Sequence, residues 1–402
     1  MSQSKQKLIN TIKKIKKKIL LGYLSKLEGL LFYARFSIRK LFIGKPKKTV
    51  LIHIAFIDPP GMRLFQIFSH FLYCGYTCYF DISFSRYMQL KRYGKKATLF
   101  KGVYPCSKKT NEYSIVISND KEYLENTAEK ILKIFINFRI FNHLNDISKD
   151  AMFYPLVTFI KYNTPFIEAN ILSKALSAER KIGAFFVGNT QPATYNADHT
   201  KKLFNVNTRY ETFNYIVDNL PHEALYIPTD MDSFLKDLDG GILEKKVVLL
   251  DINNFEIPKK YYFYVLLQVN FFIHMSGVIY PYCHNQIESM LAGCIPVTQF
   301  SNFFIPPFQH ETDSLVFNSL NDLISILRKI TSGDYNSIIQ SMRKNIIDYY
   351  IQHYSFKSFD DKLTYLVSNN FNYTDYYITT GSNYIIRELF QKNDSSLEQK
   401  CL

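Results

Sequence analysis

Two polar residues three positions apart, Asn285 and Glu288, offer groups that can recognise a phosphorylated and hydroxylated ligand. Residues at this spacing share one face of a helix. The free N–H groups and the dipole at a helix N-terminus favour a phosphate, and a carboxylate there can accept both hydroxyls of a ribose. Asn285 is also a good N-cap for this helix, and the pattern is equally compatible with a capping box of Asn285 and Glu288 in which Glu288 meets no ligand.

A strand, a helix and a second strand must position this pair. Gly277–Tyr280 is an apolar run typical of a short buried strand. The helix that follows ends at Gly293, a residue suited to a left-handed turn, and Ile295–Thr298 predicts the next strand. The apolar face of the helix consists of Ile287, Met290 and Leu291. Such a parallel crossover places ligands at the carboxyl ends of its strands.

Two motifs extend from this helix: Glu288-Ser-Met-Leu-Ala-Gly-Cys-Ile-Pro-Val297, and Phe304-Ile-Pro-Pro-Phe308 with a charged helix to Ile330. They resemble the nucleotide-sugar half of the exostosin-like glycosyltransferases (glycosyltransferase family 47), which have the GT-B fold, over roughly 60 residues. The chain departs from that family at Asn285, where the family carries an arginine. It has Tyr280 where retaining GT-B enzymes carry a second glutamate. The resemblance therefore implies that the diphosphate is neutralised elsewhere, and it does not indicate the stereochemical outcome.

The resemblance implies an α/β fold with two Rossmann-like domains facing a cleft. Thr49–Phe56, Tyr76–Phe80 and Tyr113–Ser118 predict strands of the first domain, and helical periodicity predicts helices over 122–140 and 261–272. The expected divisions are a basic amphipathic helical segment (1–48), an acceptor domain (49–170), a nucleotide-sugar domain (171–340), and C-terminal helices with a polar tail (341–402).

The donor-binding residues are expected around the first strand of the second domain, Lys181–Val187, and the helix at Asn285. The strand ends in Gly188-Asn189, similar to the Phe-Phe-x-Gly ending in the exostosin-like family, and glycine lets a backbone approach a phosphate closely. Arg209 is the candidate replacement for the missing arginine, although it could equally be an ordinary exposed helix residue. The predicted donor-binding set is Gly188, Asn189, Arg209, Tyr282, His284, Asn285 and Glu288.

The candidate catalytic base is Asp58, in the loop after the first strand. An aspartate before two prolines is also common as a turn residue. His53 lies inside an apolar strand, so we interpret it as a core histidine with its hydrogen bonds satisfied.

Asp230-Met-Asp232 spells a DxD pattern of the kind that binds a metal–diphosphate in another glycosyltransferase fold. Two acids at this spacing are common by chance, and the neighbouring Asp237 and Asp239 favour a solvated surface. No metal and no cofactor are expected, since the nucleotide sugar is a substrate.

The net charge of +14 is concentrated at one end of the chain. Residues 1–48 hold 12 Lys and 2 Arg against one acid, Glu28, giving 14 − 1 = +13, so the other 354 residues carry only +1. A nucleic-acid enzyme is expected to spread positive charge over its working face, and a nucleic-acid partner is therefore not expected. The six cysteines show no metal-type spacing and indicate a reducing compartment.

The N-terminal segment alternates apolar residues at helical spacing with Lys13, Lys14, Lys16, Lys17 and Lys18. This pattern is typical of a helix lying in an anionic membrane surface, although it could also pack on the body with its lysines in water. No apolar run approaches the length of a spanning helix. We expect a cytoplasmic protein, peripheral on the inner face of a membrane.

Three functions are compatible with the sequence. The first is a glycosyltransferase that moves a sugar from a nucleotide-diphosphate sugar to a glycan or lipid-linked acceptor, for example in lipopolysaccharide or capsule synthesis. The second is a polyol-phosphate transferase on the same fold. The third is a non-enzymatic membrane- or nucleic-acid-binding protein that is recruited by its basic segment.

Overall fold

The computed structural model describes residues 26–39, 46–55, 61–90, 92–106, 113–137, 147–155, 164–196, 198–278 and 281–379. The predicted base, Asp58, and the helix predicted within the first 25 residues lie outside these ranges. The described chain divides into two compact units. Unit 1 comprises the described residues up to Ile136 together with Val367–Asp375, and unit 2 holds the described residues of 137–366 and 376–379.

The first sheet, sheet A, has the strand order β3-β2-β1-β4-β5-β13-β6. Its strands and the helices among them are α1 (26–38), β1 (Thr49–His53), α2 (Gly61–Tyr73), β2 (Thr77–Asp81), α3 (Phe84–Gln89), α4 (Arg92–Ala97), β3 (Val103–Pro105), β4 (Ile115–Ser118), α5 (Lys121–Glu125), β5 (Leu132–Asn137) and β6 (Met152–Phe153). The pairs from β3 through β5 are parallel. Since β1 is followed by strands on one side and β4 by a strand on the other, this is a doubly wound sheet.

The second sheet, sheet B, is parallel throughout, in the order β12-β11-β10-β7-β9-β8. Its elements are α6 (Pro165–Ala175), β7 (Ile182–Gly188), α7 (Pro192–Tyr195), α8 (Asp198–Phe204), α9 (Arg209–Asn219), β8 (Leu225–Tyr226), α10 (Met231–Asp239), β9 (Val247–Asp251), α11 (Tyr262–Leu266), β10 (Val269–Ile273), α12 (His284–Leu291), β11 (Ile295–Thr298) and β12 (Leu315–Val316). The C-terminal elements are α13 (Leu320–Ser332), α14 (Ile339–His353), α15 (Phe356–Ser368) and β13 (Tyr373–Tyr377). The predicted α/β fold with two parallel sheets is confirmed.

The chain reverses its winding direction in sheet B between β7 and β10. The connection after β7 leads to β8 and β9 on one side, whereas the connection after β10 leads to β11 on the other. In an open parallel sheet this reversal leaves a crevice at the carboxyl ends of the two central strands, where ligands bind. β7, β9 and β10 are almost entirely buried, as expected for a sheet covered on both faces.

Two predicted helices were wrong, and one strand was misplaced. The helix predicted over 122–140 is the short α5 followed by β5, whose burial alternates with a period of two. The helix predicted over 261–272 is α11 followed by β10, and Gly277–Val278 lies outside any strand. The polar tail expected after the last helix contains β13, which joins sheet A.

Among the described helices, none is long and apolar enough to cross a membrane.

Arg180 lies at the amino edge of sheet B, just before β7, and contacts the ends of three helices. Its guanidinium donates to the carbonyl oxygens of Ala175 and Leu266, the last residues of α6 and α11, and of Ala292, which caps α12. A cation is stabilising at the negative end of a helix dipole. Gly293, at φ +74°, is the predicted left-handed residue, and a Cβ there would lie 3.1 Å from the Arg180 Nη2.

Glu168, a buried carboxylate of α6, accepts hydrogen bonds from the Tyr350 hydroxyl (2.8 Å) and the Phe356 backbone N–H (3.1 Å). Burial raises the pKa of Glu168 to about 7, against the opposing effect of these two bonds. The folded state therefore holds the proton more tightly than the unfolded chain. Its contribution to the free energy of unfolding is fully present below the ordinary pKa near 4.3 and is lost as pH rises through about 7.

We predict that the free energy of unfolding falls by up to ~3 kcal/mol between pH 4.5 and 7.5 because of Glu168, and that Glu168→Gln removes this dependence. Urea denaturation of both proteins across this range measures it. The matched control is Glu179→Gln, whose side chain is 80% exposed. An unchanged slope in Glu168→Gln would contradict the assignment.

Candidate functional site at the carboxyl edge of sheet B

The helix α12 begins two residues earlier than predicted. Cys283 is its N-cap, and the Cys283 backbone N–H donates to Gln286 Oε1 at 3.0 Å. The prediction that Asn285 caps the helix was wrong, because Gln286 supplies the reciprocal bond from the third helical position. The Gln286 amide also donates to the carbonyl oxygens of Met275 and Pro281, which fixes the loop leading into the helix.

Arg209 spans the crevice between β7 and β10. It is the first residue of α9, after the N-cap Thr208, and it is 2% exposed. Its Nε donates to the Ser276 carbonyl oxygen (2.9 Å) beyond β10, and its Nη1 to the Asn189 carbonyl oxygen (3.1 Å) beyond β7. Its Nη2 lies 3.3 Å from Cys283 Sγ at the start of α12. The structure thus places Arg209 at the predicted edge, as a buried cation rather than an exposed helix residue.

Gly188, the last residue of β7, makes room for this arginine. A Cβ at position 188 would lie 2.9 Å from the Phe186 ring and 3.1 Å from Arg209 Nη1. The close approach that glycine permits here is therefore made by a guanidinium of the chain itself. The Tyr195 ring, with its centroid 4.1 Å from the Arg209 guanidinium carbon, covers another side of the cation.

Asn285 joins α12 to the same strand. Its Nδ2 donates to the Val187 carbonyl oxygen at 2.9 Å, and the residue is 6% exposed. Among the described residues its Oδ1 has no hydrogen-bond partner. A buried acceptor without a partner costs free energy, so a donor arriving at this edge would be stabilised by it.

Asn189 belongs to a polar cluster at the ends of β7 and β9, of which the sequence predicted only Asn189 itself. Its Oδ1 accepts from Gln191 N–H and from Asn253 Nδ2, both at 2.8 Å. Asp251 Oδ2 accepts from the Thr190 hydroxyl at 2.6 Å. The signal was present in the sequence, because Asp251 is the polar last residue of the apolar run that forms β9.

Glu288 is more buried than we expect of a carboxylate that binds a ligand. It is 1% exposed, and its Oε2 accepts a hydrogen bond from the Tyr262 hydroxyl at 2.8 Å. Tyr282 is also buried, and its hydroxyl donates to the Phe303 carbonyl oxygen. The donor-binding roles of both residues stay predictions.

Cys283 and His284 carry opposite charges at the start of α12, a thiolate and an imidazolium. Burial raises the pKa of the Cys283 thiol, but the Arg209 guanidinium, followed by His284, outweighs burial and lowers that pKa to about 6. Burial lowers the pKa of His284, whereas the Glu288 carboxylate and Cys283 raise it to about 9. Near neutral pH the site therefore holds a thiolate between two cations, a pairing that the helix N-terminus also favours.

The corresponding edge of sheet A carries a row of polar residues. His53, Asp81 and Ser118 end three neighbouring strands in register, and His53 Nδ1 lies 2.9 Å from Ser118 Oγ. The Tyr123 ring stacks on His53, with centroids 3.7 Å apart, and its hydroxyl donates to Asp81 Oδ2 at 2.7 Å. His53 is 9% exposed, as its interpretation as a core histidine implied.

The DxD pattern has a local structural use. Asp230 is the N-cap of α10 and accepts from the Ser233 N–H at 2.9 Å, while Asp232 lies in the first turn. No group of three or more His, Cys, Asp or Glu side chains suited to a metal occurs in the described ranges.

No protein-family model matches the chain, and no curated protein matches it either. Solved structures do align with it. Anabaena HepE in complex with UDP is 9% identical, with 80% of this chain and 100% of that chain covered and a TM-score of 0.44. A glycosyltransferase from Rickettsia africae ESF-5 is 10% identical, with 81% and 99% covered and a TM-score of 0.43. Sucrose-phosphate synthase from Thermosynechococcus elongatus is 10% identical, with 81% and 99% covered and a TM-score of 0.39.

The Cys283 thiolate gives a direct test of the site's electrostatics. We predict that the rate of alkylation of Cys283 by iodoacetamide, followed by mass spectrometry of the modified peptide, rises with a midpoint near pH 6. An ordinary thiol titrates near pH 8.5. The charged and titratable groups facing the sulfur are Arg209 of α9, Tyr195 of α7 and His284 of α12.

In Arg209→Gln the midpoint is expected to move upward, because the largest stabilising charge is gone. Cys283→Ser identifies the modified peptide as the right one. A wild-type midpoint near the ordinary value would show that the guanidinium does not hold a thiolate.

Proposed function

We propose that the chain is a glycosyltransferase that binds a nucleotide-diphosphate sugar at the carboxyl edge of sheet B. The observation that carries this proposal is the convergence at one winding reversal of Arg209, the N-terminus of α12 and the unpartnered Oδ1 of Asn285. A cation, the positive end of a helix dipole and a polar acceptor at that point suit a diphosphate and its nucleoside.

The motifs from Glu288 to Val297 and from Phe304 to Phe308 support the same function through their resemblance to the exostosin-like family. Leaving-group stabilisation is the part of glycosyl transfer that this edge can supply, because each donor aimed at the departing diphosphate contributes about 2–4 kcal/mol to the transition state. Arg209 replaces the arginine that the family carries where this chain has Asn285. Access to its guanidinium requires displacement of the Cys283 thiolate by the ligand anion.

The acceptor we propose is a glycan or a lipid-linked sugar, used at an anionic membrane surface on the cytoplasmic side. The charge of +13 in residues 1–48 supports this location, since basic segments accumulate at anionic lipid. Asp58 remains the proposed proton acceptor.

We predict that a nucleoside diphosphate raises the melting temperature of the purified protein, and that the protein releases this nucleotide from at least one nucleotide sugar. Stabilisation by mass action is about 2.7 kcal/mol at a hundredfold excess over the dissociation constant. Glu288→Gln is expected to lower turnover roughly 100-fold, because a neutral amide neither accepts two hydroxyls nor holds the charge beside His284.

The matched control is Glu244→Gln, an exposed glutamate of the same unit, for which unchanged turnover is expected. Wild-type protein that neither binds a nucleoside diphosphate nor consumes any donor of a broad panel would refute the proposed function. Full turnover by Glu288→Gln would refute only the role given to this residue.

A further inference from the structure

The helix α1 presents an apolar stripe to solvent. Leu27, Leu30, Leu31 and Ile38 are 55%, 47%, 56% and 54% exposed, and they recur at helical spacing along one side. Large apolar side chains that are exposed in a continuous row mark an interaction surface more often than single exposed leucines do.

The other side of α1 is fixed to unit 1. Phe36 is 1% exposed and stacks on Tyr87, with centroids 5.5 Å apart. Tyr33 contacts the half-exposed ring of Phe84 edge-on at 4.8 Å. Arg39 donates to the carbonyl oxygens of Thr98 and Phe100 in the turn after α4 and of Val103 at the start of β3. The leucines therefore point outward because the opposite face already packs on the unit.

The elements beneath α1 are strongly basic. The described residues 82–90 and 92–106 contain five Lys or Arg and no Asp or Glu. A Cβ on Gly29 of α1 would lie 2.8 Å from the Met88 side chain of α3 and 3.0 Å from Lys95 Nζ of α4, which shows how closely these helices pack. Lys96 and Lys101 of the same stretch are exposed, as are Lys26 and Arg35 of α1.

We infer that the α1 stripe, with the basic stretch of α3, α4 and the following turn, is a docking surface for an anionic lipid bilayer. Leucines that enter the acyl boundary and lysines that remain at the headgroups are the two contributions to interfacial binding. Nucleic acid would use the lysines but would leave the leucines exposed to water. A second copy of the chain would cover the leucines but would bring two basic surfaces together, which is unfavourable.

This surface rests on the membrane association of the proposed function and deepens it, because it names α1, which lies within residues 1–48, together with α3 and α4 as the parts that contact the bilayer. Vesicle binding by this surface does not depend on any step of the transfer reaction. Donor consumption in vesicle-free solution and binding to vesicles are separate measurements, so one can fail while the other succeeds.

The test is co-sedimentation of the full-length chain with vesicles of phosphatidylcholine alone, and with equal parts of phosphatidylcholine and phosphatidylglycerol. We expect binding to the anionic vesicles only. Leu30→Ser with Leu31→Ser should weaken it at least about tenfold, through lost apolar burial. Lys96→Gln with Lys101→Gln should weaken it roughly fivefold for each charge removed.

The matched control is Ile242→Ser with Lys245→Gln, an apolar residue that is 57% exposed and an exposed lysine of unit 2. Its affinity for vesicles is expected to stay within about twofold of wild type. Melting temperatures of all variants confirm that each is folded.

Three outcomes would overturn the inference. Leucine variants that bind anionic vesicles like wild type would assign vesicle binding to basic residues alone and not to the α1 stripe. Binding to duplex RNA that exceeds vesicle binding and survives the leucine changes would assign the surface to nucleic acid. A dimer in light scattering that the leucine changes convert to a monomer, without vesicle binding by wild type, would assign it to a second copy.

Discussion

A buried guanidinium that bridges the segments following two neighbouring strands, β7 and β10, is the interaction on which the edge of sheet B depends. The crevice between β7 and β10 exists because the winding direction reverses there, and it exposes backbone carbonyl oxygens that no strand can satisfy. Arg209 satisfies Asn189 and Ser276 together and places its remaining charge against Cys283. The glycine at 188, the thiolate at 283 and the pairing of Asn285 with Val187 are all arranged around this cation.

Much of the fold could be predicted because its strands are short apolar runs bounded by turn residues. β1, β7 and β11 follow this pattern, and Gly293 ends α12 as its conformational freedom predicted. β10 could not be placed, since Val269–Ile273 is an apolar continuation of a helical stretch and periodicity alone does not separate the two. β13 was missed because its tyrosines follow a polar sequence, and only pairing within sheet A stabilises it as a strand.

The candidate site was predictable in its location more than in its contacts. Arg209 is 67 positions from Ser276 and 74 from Cys283, so only the folded chain reveals that it joins the ends of two strands. The start of α12 was misplaced because its N-cap is Cys283, a residue type that seldom caps a helix. Gln286, three residues later, accepts the hydrogen bond of its backbone N–H. Glu288 was correctly placed on a helix, but its burial against Tyr262 depends on α11, which the sequence predicted as a longer helix.

The hydrogen bonds from Arg180 to the C-terminal ends of α6, α11 and α12 anchor these three helices at the amino edge of sheet B. A helix that is clamped by its last carbonyl oxygens cannot slide along its axis without breaking a charge-assisted bond. Any adjustment of α12 to an incoming ligand is therefore confined to a tilt about that clamp, and its amplitude grows toward Cys283. Arg180 anchors the C-terminal end of this eight-residue helix, and Arg209 contacts its N-terminal end at the other edge of the same sheet.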